Sequence, residues 1–313
     1  MESRLGGRFP AAAAWPQLAG WSGAAIMLAA YAAIWLFGRP DLATLAAFWP
    51  FAPIGVFGAA VASSTGVGGG VVFVPVFNMM RETGIAALDP AVVVGTSFAI
   101  QCFGMSTGSL TWIARLNRPD ATPGELTARG QTATIVALVM ATALPSLLLA
   151  QRLMEIDGQS GLVLFKGFSI ALGLLLLLQV LLQRNGEAAK RESLTRADQA
   201  ALLAIGLAGG LATAMFSVGV GELLALYLFL RRYPLEVCVA PAVICSALSV
   251  LAGVGHHVAN GEVAASVMVF AAPGVVLGGW VARRLAQGLG AFRLKLFAAL
   301  WIVLSSLALI AMT

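Results

Sequence analysis

The chain has 313 residues, 59% of them hydrophobic and 11% charged, with a mean hydropathy of +0.91. A soluble domain has no use for that much apolar surface, so the composition selects an all-α polytopic membrane protein surrounded by lipid bilayer. The net charge of +5 fits basic residues flanking membrane spans and sets nucleic acid aside as a partner.

The first apolar run, residues 19–37, follows Arg4 and Arg8 and is long enough to span. More spans follow, so it reads as an uncleaved helix and not a signal peptide. Residues 51–80 are apolar but interrupted by Ser63-Ser64-Thr65-Gly66-Val67-Gly68-Gly69-Gly70. Each glycine costs a helix about 1 kcal/mol relative to alanine, so the run predicts a break. Residues 91–113 span and carry Thr96, Ser97 and Gln101, part of one helix face, either a cavity wall or interhelical hydrogen-bonding glue. Residues 132–150 span with Pro145 inside, which predicts a kink. Residues 161–182 span next, with Lys166 placed to snorkel. The charged stretch 183–199 is a linker.

The second half repeats this plan. Residues 200–230 are broken at Ser217-Val218-Gly219-Val220-Gly221-Glu222, and spans follow at 237–258, 263–285 and 292–311. The chain therefore divides into an N-terminal helix (1–45), repeat 1 (46–183), a cytoplasmic linker (184–198) and repeat 2 (199–313). Cys102, Cys238 and Cys245 lie in apolar segments without C-x-x-C spacing, which argues against a disulfide framework or structural zinc. His256-His257 cannot share one helix face and reads as interfacial. No metal or cofactor is expected.

Charge bias selects the topology. If the N-terminus is cytoplasmic and each broken segment returns to the face it came from, 15 of the 19 Lys and Arg fall inside. Arg39, Arg81 and Arg152 fall outside, and Lys166 lies within a span. Three full spans per copy is an odd number, so the copies are inverted. The two glycine tips then approach each other near the midplane from opposite faces, an inverted-repeat transporter plan. Each arm of about 13–15 residues, at about 1.5 Å per residue, passes the middle of a core about 30 Å thick.

A helix beginning at such a break presents unpaired N–H groups and a partial positive charge. Gly66, Gly68, Gly69, Gly70, Gly219 and Gly221 let backbone approach a ligand, and Ser63, Ser64, Thr65 and Ser217 add hydroxyls. That chemistry suits a small oxyanion held by amides. Glu222 stands where the first copy has Val71. Three roles compete for it: a cap on the helix N-terminus, a proton carrier that couples transport to protons, or a partner for a co-bound cation.

Gly66-Val67-Gly68-Gly69-Gly70-Val71-Val72-Phe73-Val74-Pro75 resembles the G-x-G-G-G-x-x-x-x-P motif of the TauE/SafE sulfite exporter family, also called the 4-toluene sulfonate uptake permease family. Gly95-Thr96-Ser97, Ser217 to Leu223, and Pro273-Gly274 with Gly278-Gly279 are similar to later family signatures. The second copy departs, with Ser217 and Val220 where the first has Gly66 and Gly69, and Leu226 in place of Pro75. The resemblance implies transport of sulfite or an organosulfonate across the bacterial inner membrane. An anion channel of the same architecture is the main rival. A membrane-embedded enzyme lacks a Ser/His/Asp arrangement or metal-ligand spacing, and an assembly protein has no need of two matched breaks. A homo-oligomer is compatible with all of these.

Overall fold

In the apolar segment that starts at Phe51, the first helix stops where glycine permits a left-handed turn. The computed structural model describes residues 15–40, 42, 45–82, 89–154, 191 and 193–311, with isolated positions between 163 and 177. The described residues are helical and contain no strand. The helices are α1 (Trp15–Phe37), α2 (Phe51–Thr65), α3 (Gly70–Glu82), α4 (Pro90–Leu116), α5 (Pro123–Leu153), α6 (Arg196–Phe216), α7 (Val220–Leu230), α8 (Leu235–Ala259) and α9 (Ala265–Ala311). Among the described residues, six segments are long and apolar enough to cross a membrane: Leu45–Thr65, Pro90–Leu116, Pro123–Leu153, Arg196–Phe216, Leu235–Ala259 and Ala265–Gly288. The expected span 161–182, with Lys166, falls mostly outside the described residues, as do Arg4, Arg8 and linker residues 184–190.

Two of those six segments turn back. Gly66, at φ 78°, ends α2, and its N–H donates to the Ala62 carbonyl. The chain then reverses, so that Phe73 of α3 packs on Gly58 of α2 and Phe77 stacks on Phe51 at 5.3 Å between ring centroids. Ser217 ends α6 at φ 59° in the same way, donating to the Thr213 carbonyl. There the return arm α7 brings Tyr227 to Asp198 near the start of α6, with Tyr227 Oη 2.7 Å from Asp198 Oδ1. The arms are 15 and 13 residues in the first hairpin but 21 and 11 in the second. The equal arms expected for the second are therefore corrected. Its helix starts at Arg196 because Thr195 and Asp198 form a capping box, four residues before the apolar run.

The same device extends α5. Thr122 and Glu125 close a capping box and Pro123 takes the first helical position, so α5 starts nine residues before the expected 132. Pro145 lies inside α5 without ending it. Helical residues run unbroken through α9, yet its axis cannot be straight. Gly278 lies against Val56, while Phe297 and Trp301 pack on Phe57 at 6.0 and 5.2 Å. A straight helix would separate residues 278 and 297 by about 28 Å. α9 therefore bends between these contacts, and the two spans expected at 263–285 and 292–311 are joined in one helical run.

Each hairpin leans on a helix from the other half. A Cβ on Gly274 or Gly278 of α9 would strike the carbonyls of Ala52 and Val56 on α2, and one on Gly55 would lie 3.0 Å from the Ala271 carbonyl. On the other side, Gly206 and Gly210 of α6 meet the carbonyls of Val139 and Ala143 on α5. Thr142 and Ser146 of α5 donate to the Leu203 and Leu207 carbonyls, both at 2.7 Å. Helices α4 and α8 meet between these pairs, Gly108 lying against Val243.

The basic segments gather at one end. Arg115 Nε pairs with Glu125 at 2.8 Å, and Gln287 reaches the same oxygen at 2.9 Å. Asp198 pairs with Arg231 at 2.8 Å and Arg191 at 3.7 Å, and accepts from Tyr233 at 3.0 Å. The opposite end carries Gly38 against Ala265 and Gly95 against Glu262. There His257 Nδ1 lies 2.6 Å from Glu262 Oε2, and its Nε2 lies 3.3 Å from Gln151. His257 is a buried tie between α5 and α8 at this end, and His256 contacts Asn260.

Candidate functional site

The two hairpin tips interleave at the centre of the molecule. Gly70 is pressed against the Ser217 carbonyl and Val218, and Gly221 against Ser246, with the Gly66 carbonyl 2.9 Å from where its Cβ would lie. Any side chain at these glycines would force the tips apart, which explains why the sequence needs them.

Glu222 joins the tips. Its Oε1 accepts the Gly68 N–H at 2.7 Å and its Oε2 accepts the Gly219 N–H at 2.8 Å, so one carboxylate takes an amide from each hairpin. Both lengths lie at the short end of the N–H···O range. The side chain is 2% exposed, and among the described residues no ion pair engages it. Of the three roles considered, the capping one is visible, and it reaches beyond its own helix to the other hairpin.

Gln101 makes the second bridge. Its Nε2 lies 2.7 Å from Ser217 Oγ, 3.0 Å from the Ser217 carbonyl and 3.2 Å from Ser97 Oγ. Ser97 and Gln101 therefore belong to the tips. Thr96 does not: its Oγ1 accepts the Ala264 N–H at 2.9 Å, toward the end that carries His257.

The hydroxyls of the first break turn inward to the protein. Ser64 and Thr65 each donate to the Val61 carbonyl at 2.9 Å, and Thr65 Oγ1 accepts the Val67 N–H at 3.2 Å. Ser63 Oγ lies 3.7 Å from Met105 Sδ, and the Trp112 indole N–H holds the Ser63 carbonyl at 3.0 Å. These groups shape the turn; in this conformation the tips meet through the Gly68 and Gly219 amides and the Glu222 carboxylate that they bind. Ser63, Ser64, Thr65, Ser97, Gln101 and Ser217 are all buried, as are Gly66, Gly68, Gly69, Gly70, Gly219 and Gly221.

Sequence reasoning missed Thr213, whose Oγ1 accepts the Val220 N–H at 3.1 Å and so caps α7. Its signal was available: hydroxyl residues precede the left-handed turn in both breaks. It also missed Ser246, which faces Gly221 from α8. Cys102 packs beside the cluster of Phe98, Leu147 and Val250. Among the described residues no group of three or more His, Cys, Asp or Glu could hold a metal ion.

Apolar spans of membrane length, enclosing two broken hairpins whose tips are buried against each other, define a multi-pass helical membrane protein of transporter type. The family model described as sulfite exporter TauE/SafE matches residues 51–309, and the chain belongs to this family of transporters. Searches of the curated proteins and of the solved structures return no match.

Proposed function

We propose that this protein is a secondary transporter that moves a small sulfur-containing anion, sulfite or an organosulfonate, across the bacterial inner membrane, with the crossed hairpin tips as the substrate site. The observation that carries the reading is the convergence of the Gly68 and Gly219 amides, one from each hairpin, on a single two-oxygen acceptor. A sulfite or sulfonate likewise presents two oxygens on one atom, and backbone amides at helix starts suit such a group. Membership of the sulfite exporter family supports the substrate class.

The reciprocal leaning of α2 on α9 and α6 on α5 supports an inverted repeat of residues 46–183 and 199–313 joined by the linker 184–198. The grouping of Arg115, Arg191, Arg231 and Arg283 at one end supports a cytoplasmic N-terminus, on the positive-inside rule. Coupling to protons runs through Glu222. The Glu222→Gln protein should therefore show a flatter pH dependence of flux in proteoliposomes, and a profile identical to wild type would remove protons from the account.

The test of the site is binding. Sulfite or methanesulfonate is expected to raise the melting temperature of the purified wild-type protein. Gly69→Val should abolish this, because its Cβ would lie 2.9 Å from Gln101 Cγ and 3.0 Å from the Phe73 ring. Equal stabilisation of both proteins would move the site away from the first hairpin. An anion channel of the same architecture would instead show large unitary currents without counterflow.

A further inference from the structure

The amides of Gly68 and Gly219 already hold an anion, and it is part of the chain. Glu222 places its two oxygens 2.7 and 2.8 Å from them. The space around Gly68 is filled by polar atoms: a Cβ there would lie 2.7 Å from Glu222 Oε1 and 3.1 Å from Gln101 Oε1. The corresponding residue of the first hairpin is Val71, buried and apolar, so the crossed tips share one carboxylate and not two. A static cap takes its backbone amide from its own helix alone, as Glu125 does at Thr122 and Asp198 at Thr195, and their distant partners, Gln287 and Tyr227, are side chains. Glu222 instead spends one oxygen on a glycine 154 positions away in the chain.

We infer that the Glu222 carboxylate is a tethered competitor: it fills the seat that the transported oxyanion must take, so the side chain and the substrate exclude each other. The inference rests on the transport reading above and deepens it. Both groups are planar or pyramidal centres flanked by anionic oxygens, and the seat offers one donor to each of two oxygens. While the side chain is seated, the hairpins are clasped tip to tip. An arriving anion that displaces it inherits the two amides and frees the carboxylate to leave the tip. Binding and unclasping are then one event, and an empty site re-closes on its own side chain without exposing two buried amides. The apparent affinity for substrate is lowered by the fraction of time the seat is taken.

The experiment is titration calorimetry at constant ionic strength on purified Glu222→Ala and wild-type protein, with sulfite, methanesulfonate and formate as probes. Removing the tether should lower the Kd for sulfite and methanesulfonate by about tenfold or more. Formate, a free carboxylate, should bind Glu222→Ala, compete there with methanesulfonate, and fail to bind wild type. An unchanged Kd in a monodisperse Glu222→Ala protein, or a weaker one, would overturn the inference, leaving Glu222 as a static cap or as a part of the site. If Glu222→Ala is not monodisperse, Glu222→Gln replaces it. That side chain keeps the shape but turns an NH2 toward one of the amide donors, so it should be displaced more readily and lower the Kd as well. Formate binding to Glu222→Ala with no response to either sulfur anion would sink the substrate class while upholding the tethered seat.

Discussion

Gly66 and Ser217 take the same left-handed turn, at φ 78° and φ 59°, and the difference between them is instructive. A non-glycine residue there costs about 1–2 kcal/mol of backbone strain. Ser217 bears it because its hydroxyl and carbonyl both accept from Gln101, a bond worth about 1 kcal/mol. Ser217→Gly should therefore come close to wild-type stability, while Ser217→Ala keeps the strain, loses the hydroxyl bond and should fall below Ser217→Gly by about 1 kcal/mol. Thermal melts of the two variants in one detergent check that order, and the reverse order would refute the account of the turn. At this scale the sequence was partly readable. The glycines and Glu222 stood out, but the partners of Glu222 did not, because a backbone N–H has no letter of its own. The hydroxyls of Ser63, Ser64 and Thr65 were legible as residues near the break, yet which way they turn depends on the local carbonyls they satisfy.

The hairpins are unequal, and the reason lies at the base of the second. Asp198 is fully buried and accepts from Tyr227, Arg231 and Tyr233 while closing the cap of α6. It ties the start of one arm to the end of the other. Asp198→Asn removes the charge that these partners face and should destabilise the protein by about 2 kcal/mol. That lies below the range for a fully buried pair because Arg231 reaches solvent. Tyr233 adds a pH dependence. Burial, and then its bond to Asp198, pushes its pKa up to about 12. This lies above the unfolded value of about 10, so its contribution is complete below pH 10 and is lost as pH rises through 12. Tyr233→Phe should flatten the loss of melting temperature over that alkaline window, and an unaltered slope would show that other groups cause it. Hydropathy placed the long apolar segments but misplaced the starts of α5 and α6. Thr-x-x-Glu and Thr-x-x-Asp are polar, so an apolar window passes over them, although the capping pattern marks both starts.

Across the whole molecule each half supports the other's broken segment. The charge bias made the grouping of basic loops legible in advance. Which helix holds which hairpin was not legible, since Gly55, Gly206, Gly210, Gly274 and Gly278 offer only bare backbone and a glycine does not name its partner. The arrangement predicts that a chain cut within 184–190 will accumulate only when both pieces are made together. Immunoblots of separately tagged pieces should show each several-fold more abundant on co-expression, and equal abundance alone would indicate that either half is self-sufficient. The same exchange constrains biosynthesis. Phe51 leaves the ribosome more than 200 residues ahead of Ala265. At roughly 5–20 residues per second, α2 waits on the order of 10–40 s for the surface that receives it. For that interval a glycine-broken hairpin sits in or beside the bilayer with its closest neighbour still unmade, so the speed of translation and the insertion machinery bear directly on how much of the protein survives.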